Sequence, residues 1–219
     1  MTLECVVETV DAAVAAERAG ANRLELCVRL EAGGVTPPDA LIAAVLDRVS
    51  IPVFAMIRPR AGNFLFTAPE FSEAERQAKE ARARGAHGIV TGMLHQDGRV
   101  DVERTRIIVE AAGDLPVTFH RAFDEVPDQS EALETIIAAG ARRVLTSGGA
   151  ATALDGVDRI AALVRQGGGR MTVLAGGGVR ADNVRALIAR SGVTEVHARF
   201  EDAAATRALA GLLYSSPDD

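Results

Sequence analysis

The stretch Pro116-Val-Thr-Phe-His-Arg-Ala-Phe-Asp124 sets the reading of this chain. An apolar run of strand type passes straight into His120, Arg121 and Asp124, and Pro127-Asp128 then opens a helix. Chemistry-capable side chains therefore gather where a strand hands over to a helix. In repeated βα architectures that end of the strand binds ligands, whereas the opposite end carries stability.

Outward from this segment the same pattern recurs along the chain. Short β-branched runs fall at Leu3–Val7, Arg23–Cys27, Val53–Arg58, Gly88–Thr91, Val117–Arg121, Arg143–Ser147, Thr172–Ala175 and Glu195–Ala198. Between them lie Ala-rich runs of helical period at Val10–Ala19, Pro38–Arg48, Ser72–Arg84, Val102–Ala112, Ser130–Ala139, Ala151–Arg165, Ala181–Arg190 and Ala203–Leu213. Arg18-Ala-Gly20, Arg84-Gly85 and Ala139-Gly140 end their helices on glycine, which accepts the left-handed conformation of a helix stop. Eight βα units in 219 residues predict one α/β domain over residues 1–219. The architecture expected is a TIM (β/α)8 barrel, a fold of ~250 residues whose lower limit is near ~200. An open doubly wound sheet is the competing architecture. Two long connections, Val28–Pro37 and Pro59–Phe71, have the length of binding loops.

Composition narrows the function classes. Hydrophobic residues make up 48% of the chain, but no apolar run reaches the ~18 residues of a membrane span. The N-terminus Met1-Thr2-Leu3-Glu4 lacks the basic start of a signal peptide, so a soluble, cytoplasmic protein is expected. A net charge of -6 with dispersed arginines argues against nucleic acid and for a small ligand or another protein as partner. Self-association is left open. Cys5 and Cys27 form no disulfide framework and no CxxC pair. All but one of the 24 basic residues are arginine, and the single lysine, Lys79, lies in a polar helical run away from any strand end. A Schiff-base mechanism needs a desolvated amine in the pocket and finds none here.

Strand alternation puts Glu4, Val6 and Glu8 on one face of the first strand and Arg23, Glu25 and Cys27 on one face of the second. These faces are expected to point into the barrel. Buried ionic groups are costly unless paired, so Glu4, Glu25 and Arg58 read either as structural ion pairs or as part of a reaction site. Nearer the rim, His120, His197 and Asp124, with Glu25 below, are the catalytic candidates, because imidazoles and carboxylates exchange protons near neutral pH. Arg58, Arg60 and Arg121 are the candidate anion clamps. Thr146-Ser-Gly-Gly149 and Ala175-Gly-Gly-Gly178 follow adjacent strands and precede helices, so Thr146, Ser147, Gly148, Gly176, Gly177 and Gly178 join the candidate ligand-binding set. Tight βα corners are the competing reading of those glycines. For a soft metal, Cys27 is the one inward thiol; Met56 could join it, but no Cys or Met pair stands at ligand spacing.

Taken together, these segments resemble the CutC family of copper homeostasis proteins. The matching strings are Ala19-Gly-Ala-Asn-Arg-Leu-Glu-Leu-Cys27, Gly33-Gly-Val-Thr-Pro37, Ile57-Arg-Pro-Arg60, Val117-Thr-Phe-His-Arg-Ala-Phe-Asp124, Arg143-Val-Leu-Thr-Ser-Gly148, Ala175-Gly-Gly-Gly-Val179 and Glu195-Val-His197. They run in the family's order over nearly the whole chain. The resemblance implies a TIM barrel, a role in copper homeostasis and copper as a ligand. The chain departs from the family where Val6 replaces a cysteine common in the first strand and where Ala198-Arg199-Phe200 replaces serines. The residues themselves point to an alternative: an enzyme acting on a small phosphorylated or carboxylated metabolite. A third possibility is a non-catalytic copper-handling protein, which predicts a thiol-dependent metal site.

Overall fold

The strands β1 (Thr2–Val7), β2 (Arg23–Leu26), β3 (Val53–Met56), β4 (Gly88–Thr91), β5 (Val117–Phe119), β6 (Arg143–Thr146), β7 (Thr172–Gly176) and β8 (Glu195–Arg199) pair in chain order, all parallel. β8 returns to β1 and closes the barrel, setting Glu4 opposite His197. Between the strands run α1 (Val10–Arg18), α2 (Asp39–Leu46), α3 (Ala68–Ala83), α4 (Val102–Ala112), α5 (Gln129–Ala138), α6 (Val157–Gly167) and α7 (Val184–Ser191), and α8 (Ala203–Tyr214) follows β8. The expected single-domain TIM barrel is therefore the fold, and the open sheet is excluded. The structure, a computed structural model, describes residues 1–214; the last part of the expected 1–219 domain, residues 215–219, lies outside the described residues.

Period-two alternation divides each strand between two environments. Leu3, Cys5, Val7, Leu24, Leu26, Ala55, Ile57 and Phe119 join the helices in one apolar layer. Their neighbours Val6, Phe54, Met56 and Val90 form a small second cluster with Cys27 inside the barrel. Burying a Leu, Ile or Phe contributes roughly 1.5–3 kcal/mol, so the outer layer carries the stability and leaves the interior free to hold charge. Glu4, Arg23, Glu25, Arg58 and His120 occupy that interior, all buried.

Local chemistry shifts several boundaries from the sequence expectation. β5 stops at Phe119 and not at Arg121, because the His120 side chain turns back to accept from the Ala122 N–H and starts a 3-10 turn over Arg121–Glu125. α3 begins at Ala68, a turn before the expected Ser72, because Thr67 and Glu70 form a reciprocal capping box with proline in the first turn. α6 begins at Val157, not Ala151. The preceding loop passes so close to β6 that a Cβ on Gly156 would stand 1.9 Å from the Ser147 carbonyl oxygen. Asp128 caps α5 through the N–H groups of Ser130 and Glu131, as the Pro127-Asp128 signal implies.

Candidate functional site

A pocket of about 930 Å³ opens at the C-terminal ends of the strands. Val6, Glu25, Met56 and His197 form its base, with Arg58, Phe64, His120, Arg121, Asp124, Gly177, Gly178 and Arg199 among its walls. The strand ends thus bring most of the sequence-predicted residues into one cavity.

Arg58 and His120 form one wall. Arg58 Nη1 donates to the carbonyls of Ala32 and Gly34 at 3.1 and 2.8 Å, and Nη2 donates to Gly62 at 2.6 Å. One guanidinium therefore fastens together the two long loops singled out in the sequence. Its Nε is buried and has no partner among the described residues. Phe64, from the second loop, lies 4.9 Å from both Arg58 and the His120 ring. His120 Nδ1 accepts from Ala122 N at 3.2 Å, so the neutral ring carries its proton on Nε2. That nitrogen is buried and has no partner among the described residues. Burial, reinforced by the charge of Arg58, lowers the His120 pKa to about 3. His120, a residue of the pocket wall, thus keeps a neutral ring with its N–H on Nε2. A side chain at position 92 would displace it, since a Cβ there would stand 2.5 Å from His120 Nδ1.

Asp124 occupies the turn where a ligand was expected. Its Oδ1 accepts from the Thr146 hydroxyl at 2.5 Å, Ser147 N at 3.1 Å and Gly149 N at 3.0 Å. Its Oδ2 accepts from Arg121 Nε at 2.8 Å and from the Ser147 hydroxyl at 3.1 Å. Gly148 N donates to the Thr146 hydroxyl at 2.8 Å. The Thr146 hydroxyl and the amides of Ser147 and Gly149 thus hold an internal carboxylate, while the Gly148 amide is taken by the Thr146 hydroxyl. Arg121 also donates Nη2 to the Ser147 hydroxyl, at 2.8 Å, and lines the pocket braced by both contacts.

The pocket base is ionic. Arg23 bridges Glu4 and Glu195, with both contacts at 2.5 Å. Arg143 reaches Glu195 at 3.3 Å, and Phe54 lies 5.0 Å from both guanidinium carbons. Glu4 Oε1 holds His197 Nδ1 at 2.8 Å. Burial opposes the charge on Glu4, but His197 and Arg23 outweigh it and draw its pKa down to about 2. Burial also opposes charging of His197, yet Glu25 and Glu4 raise its pKa. For Glu25 the balance reverses: burial, with the charge of Glu4, outweighs the pull of His197 and Arg23 and lifts its pKa to about 7, and its Oε2 has no partner among the described residues. Sequence reasoning placed Glu4 inside the barrel, as a structural ion pair or part of a reaction site, but did not name its partner. The pairing with His197 depends on closure between the first and last strands, which no local spacing reports.

The remaining candidates separate. Arg60 turns away from the cavity and donates to Glu70 at 2.6 Å, Asn63 O at 2.9 Å and Leu65 O at 2.6 Å, which ties its own loop to α3. Gly177 and Gly178 line the pocket with positive φ. Gly176 leaves room for its neighbours instead, because a Cβ there would stand 2.5 Å from Leu145 and 3.1 Å from His197. Cys27 is fully buried, and burial raises its thiol pKa. The fold does bring it beside Met56, both packing on Gly34, a juxtaposition that sequence spacing did not show. Cys5 faces the helices, as alternation implied. A paired-thiolate copper site therefore does not fit these residues.

Fold and pocket define a (β/α)8-barrel protein whose strand ends surround a cavity with an ionic base. The sequence profile of the CutC family matches residues 1–202, and the chain belongs to that family. It is 47% identical over 198 residues to a CutC family protein of Xanthomonas campestris pv. campestris, covering 90% of this chain and 82% of that one. The human copper homeostasis protein cutC homolog is 44% identical, over 89% of this chain and 71% of its own length. Among solved structures, the putative copper homeostasis protein CutC of Streptococcus agalactiae superposes with a TM-score of 0.85 at 30% identity, covering 90% of this chain and 97% of that one.

Proposed function

We propose that this chain serves in copper homeostasis, the role carried in the names of its relatives, and that its working site is the barrel-mouth pocket, which takes a small phosphorylated or carboxylated ligand. The observation that carries the ligand class is the pair of buried donors, Arg58 Nε and His120 Nε2, neither with an acceptor among the described residues. Buried donors left unpaired cost about 1–3 kcal/mol each, and an anionic oxygen at the wall removes that cost. Arg121 and the turn at Gly177–Gly178 extend the donor surface across the cavity. At the base, Glu25 and His197 supply a group able to give or take a proton near neutral pH. If the ligand is turned over, proton transfer falls to this pair, while His120 and Arg58 hold the charge.

The test is calorimetric titration with phosphate, citrate and a panel of phosphorylated metabolites, on wild type and on His120→Ala. Loss of one charge-assisted hydrogen bond commonly costs ~1.5–3 kcal/mol, so His120→Ala should weaken binding roughly ten- to a hundredfold. Copper tolerance of a bacterial strain lacking its own CutC family protein, complemented with either version, links the pocket to the role. A fully active His120→Ala protein would separate the two.

A further inference from the structure

The floor of the barrel gathers three carboxylates, Glu4, Glu25 and Glu195, around two guanidiniums, Arg23 and Arg143, and one imidazole, His197. Both guanidiniums engage Glu195, and Arg23 engages Glu4; neither forms an ion pair with Glu25. Glu25 is 3% exposed and makes no hydrogen bond or ion pair among the described residues, and its Oε2 is sealed from water. A buried carboxylate in that position is costly unless a cation or a proton joins it.

One ligand atom of each of Glu4, Glu25 and His197, the imidazole through either ring nitrogen, lies within 4.8 Å of the others, so small side-chain movements bring these groups onto one metal ion. Within that group the roles differ. Glu4 already accepts from Arg23 and holds His197 Nδ1, which leaves the other imidazole nitrogen, Nε2, free to ligate. A carboxylate that orients a ligating histidine through its second nitrogen is the usual support of a metal-bound imidazole. Glu25 and His197 both line the pocket, so the open positions of an ion between them would face solvent or a bound ligand.

We propose that Glu25 and His197 bind one divalent cation at the base of the pocket, with Glu4 positioning His197. The donors are oxygen and nitrogen, which suit Cu²⁺ and Zn²⁺; among first-row divalent ions Cu²⁺ binds such sets most tightly, whereas Cu⁺ prefers sulfur. If this family member handles copper through its own barrel, it does so at carboxylate and imidazole and not at Cys27. The site stands on the barrel floor alone, independent of whether the pocket takes an anion.

Tag-free protein, stripped with chelator, is titrated with Zn²⁺ by calorimetry and with Cu²⁺ by electron paramagnetic resonance, with no anionic metabolite added. The expected result is one ion per chain, with nitrogen superhyperfine structure in the Cu²⁺ spectrum. Glu25→Gln and His197→Gln should each weaken binding at least tenfold, and His197→Gln should remove the nitrogen signal. Cys27→Ser and the double variant His87→Gln/His95→Gln should bind as wild type. Should His197→Gln fail to fold, the wild-type spectrum and Glu25→Gln decide the question. Absence of a one-to-one complex with either ion, a wild-type spectrum without imidazole nitrogen, or wild-type affinity in Glu25→Gln would overturn the proposal. Because no anion is present, such a failure leaves the anion pocket untouched.

Discussion

Asp124 sits on the backbone of Ser147, which donates its N–H at 3.1 Å to each carboxylate oxygen. The turn after β6 is therefore an anion nest whose anion is supplied by the chain itself. The amides of that turn are therefore occupied, whereas Arg58 Nε and His120 Nε2 have no partner among the described residues.

Removing the internal charge should unlock the turn. In Asp124→Asn one carboxylate oxygen becomes an amide that must face N–H or O–H donors it cannot accept from. The variant should lose roughly 2–4 kcal/mol in chemical denaturation, with an unchanged m-value. A loss below about 1 kcal/mol would mean that the contacts around Ser147 contribute little.

His120 should make the wild type acid-sensitive. Its folded pKa, near 3, lies below the ordinary histidine value of 6.5. Between those values the unfolded chain takes up a proton that the folded protein refuses, so the stabilisation is complete above pH 6.5 and is lost as pH falls toward 3. His120→Gln keeps a polar side chain and removes this proton linkage. The stability gap between the two proteins should therefore shift in the variant's favour on acidification, by on the order of 3–5 kcal/mol across the window. Parallel stability curves for the two proteins would show that His120 charges normally in the fold.

Cys27→Ser should leave copper(I) affinity close to that of wild type. The thiol is sealed inside the barrel, burial raises its pKa, and Cys5 faces the helices across the strand layer. Competition with a chromogenic copper(I) chelator under anaerobic conditions measures this directly. A tight one-to-one complex abolished by the serine would place the metal at Cys27, in the inner cluster it shares with Met56.

The reach of the sequence follows from which interactions are local. Eight strands, their inward faces and the cap at Asp128 are written in short spacings, because alternation and capping act within a few residues. The gathering of Arg58, His120, Arg121 and His197 at one rim also follows from strand ends alone. The occupant of the Ser147–Gly149 turn does not. Nothing in Thr146-Ser-Gly-Gly149 says that a carboxylate 25 residues earlier in the chain fills it. Likewise Arg60 reads as a clamp like Arg58 until Glu70, in the first turn of α3, claims its guanidinium. The state of His120 depended on a single backbone N–H, from Ala122, that assigns its tautomer.

Whether the Arg58–His120 wall receives an anion is decided by a crystal structure of the protein grown or soaked with phosphate or citrate. An anion with oxygens in hydrogen-bond range of His120 Nε2 and Arg58 Nε is expected, with loss of that density in His120→Ala. Well-ordered crystals of the same barrel in which that wall stays without an anion at high phosphate and citrate would contradict it.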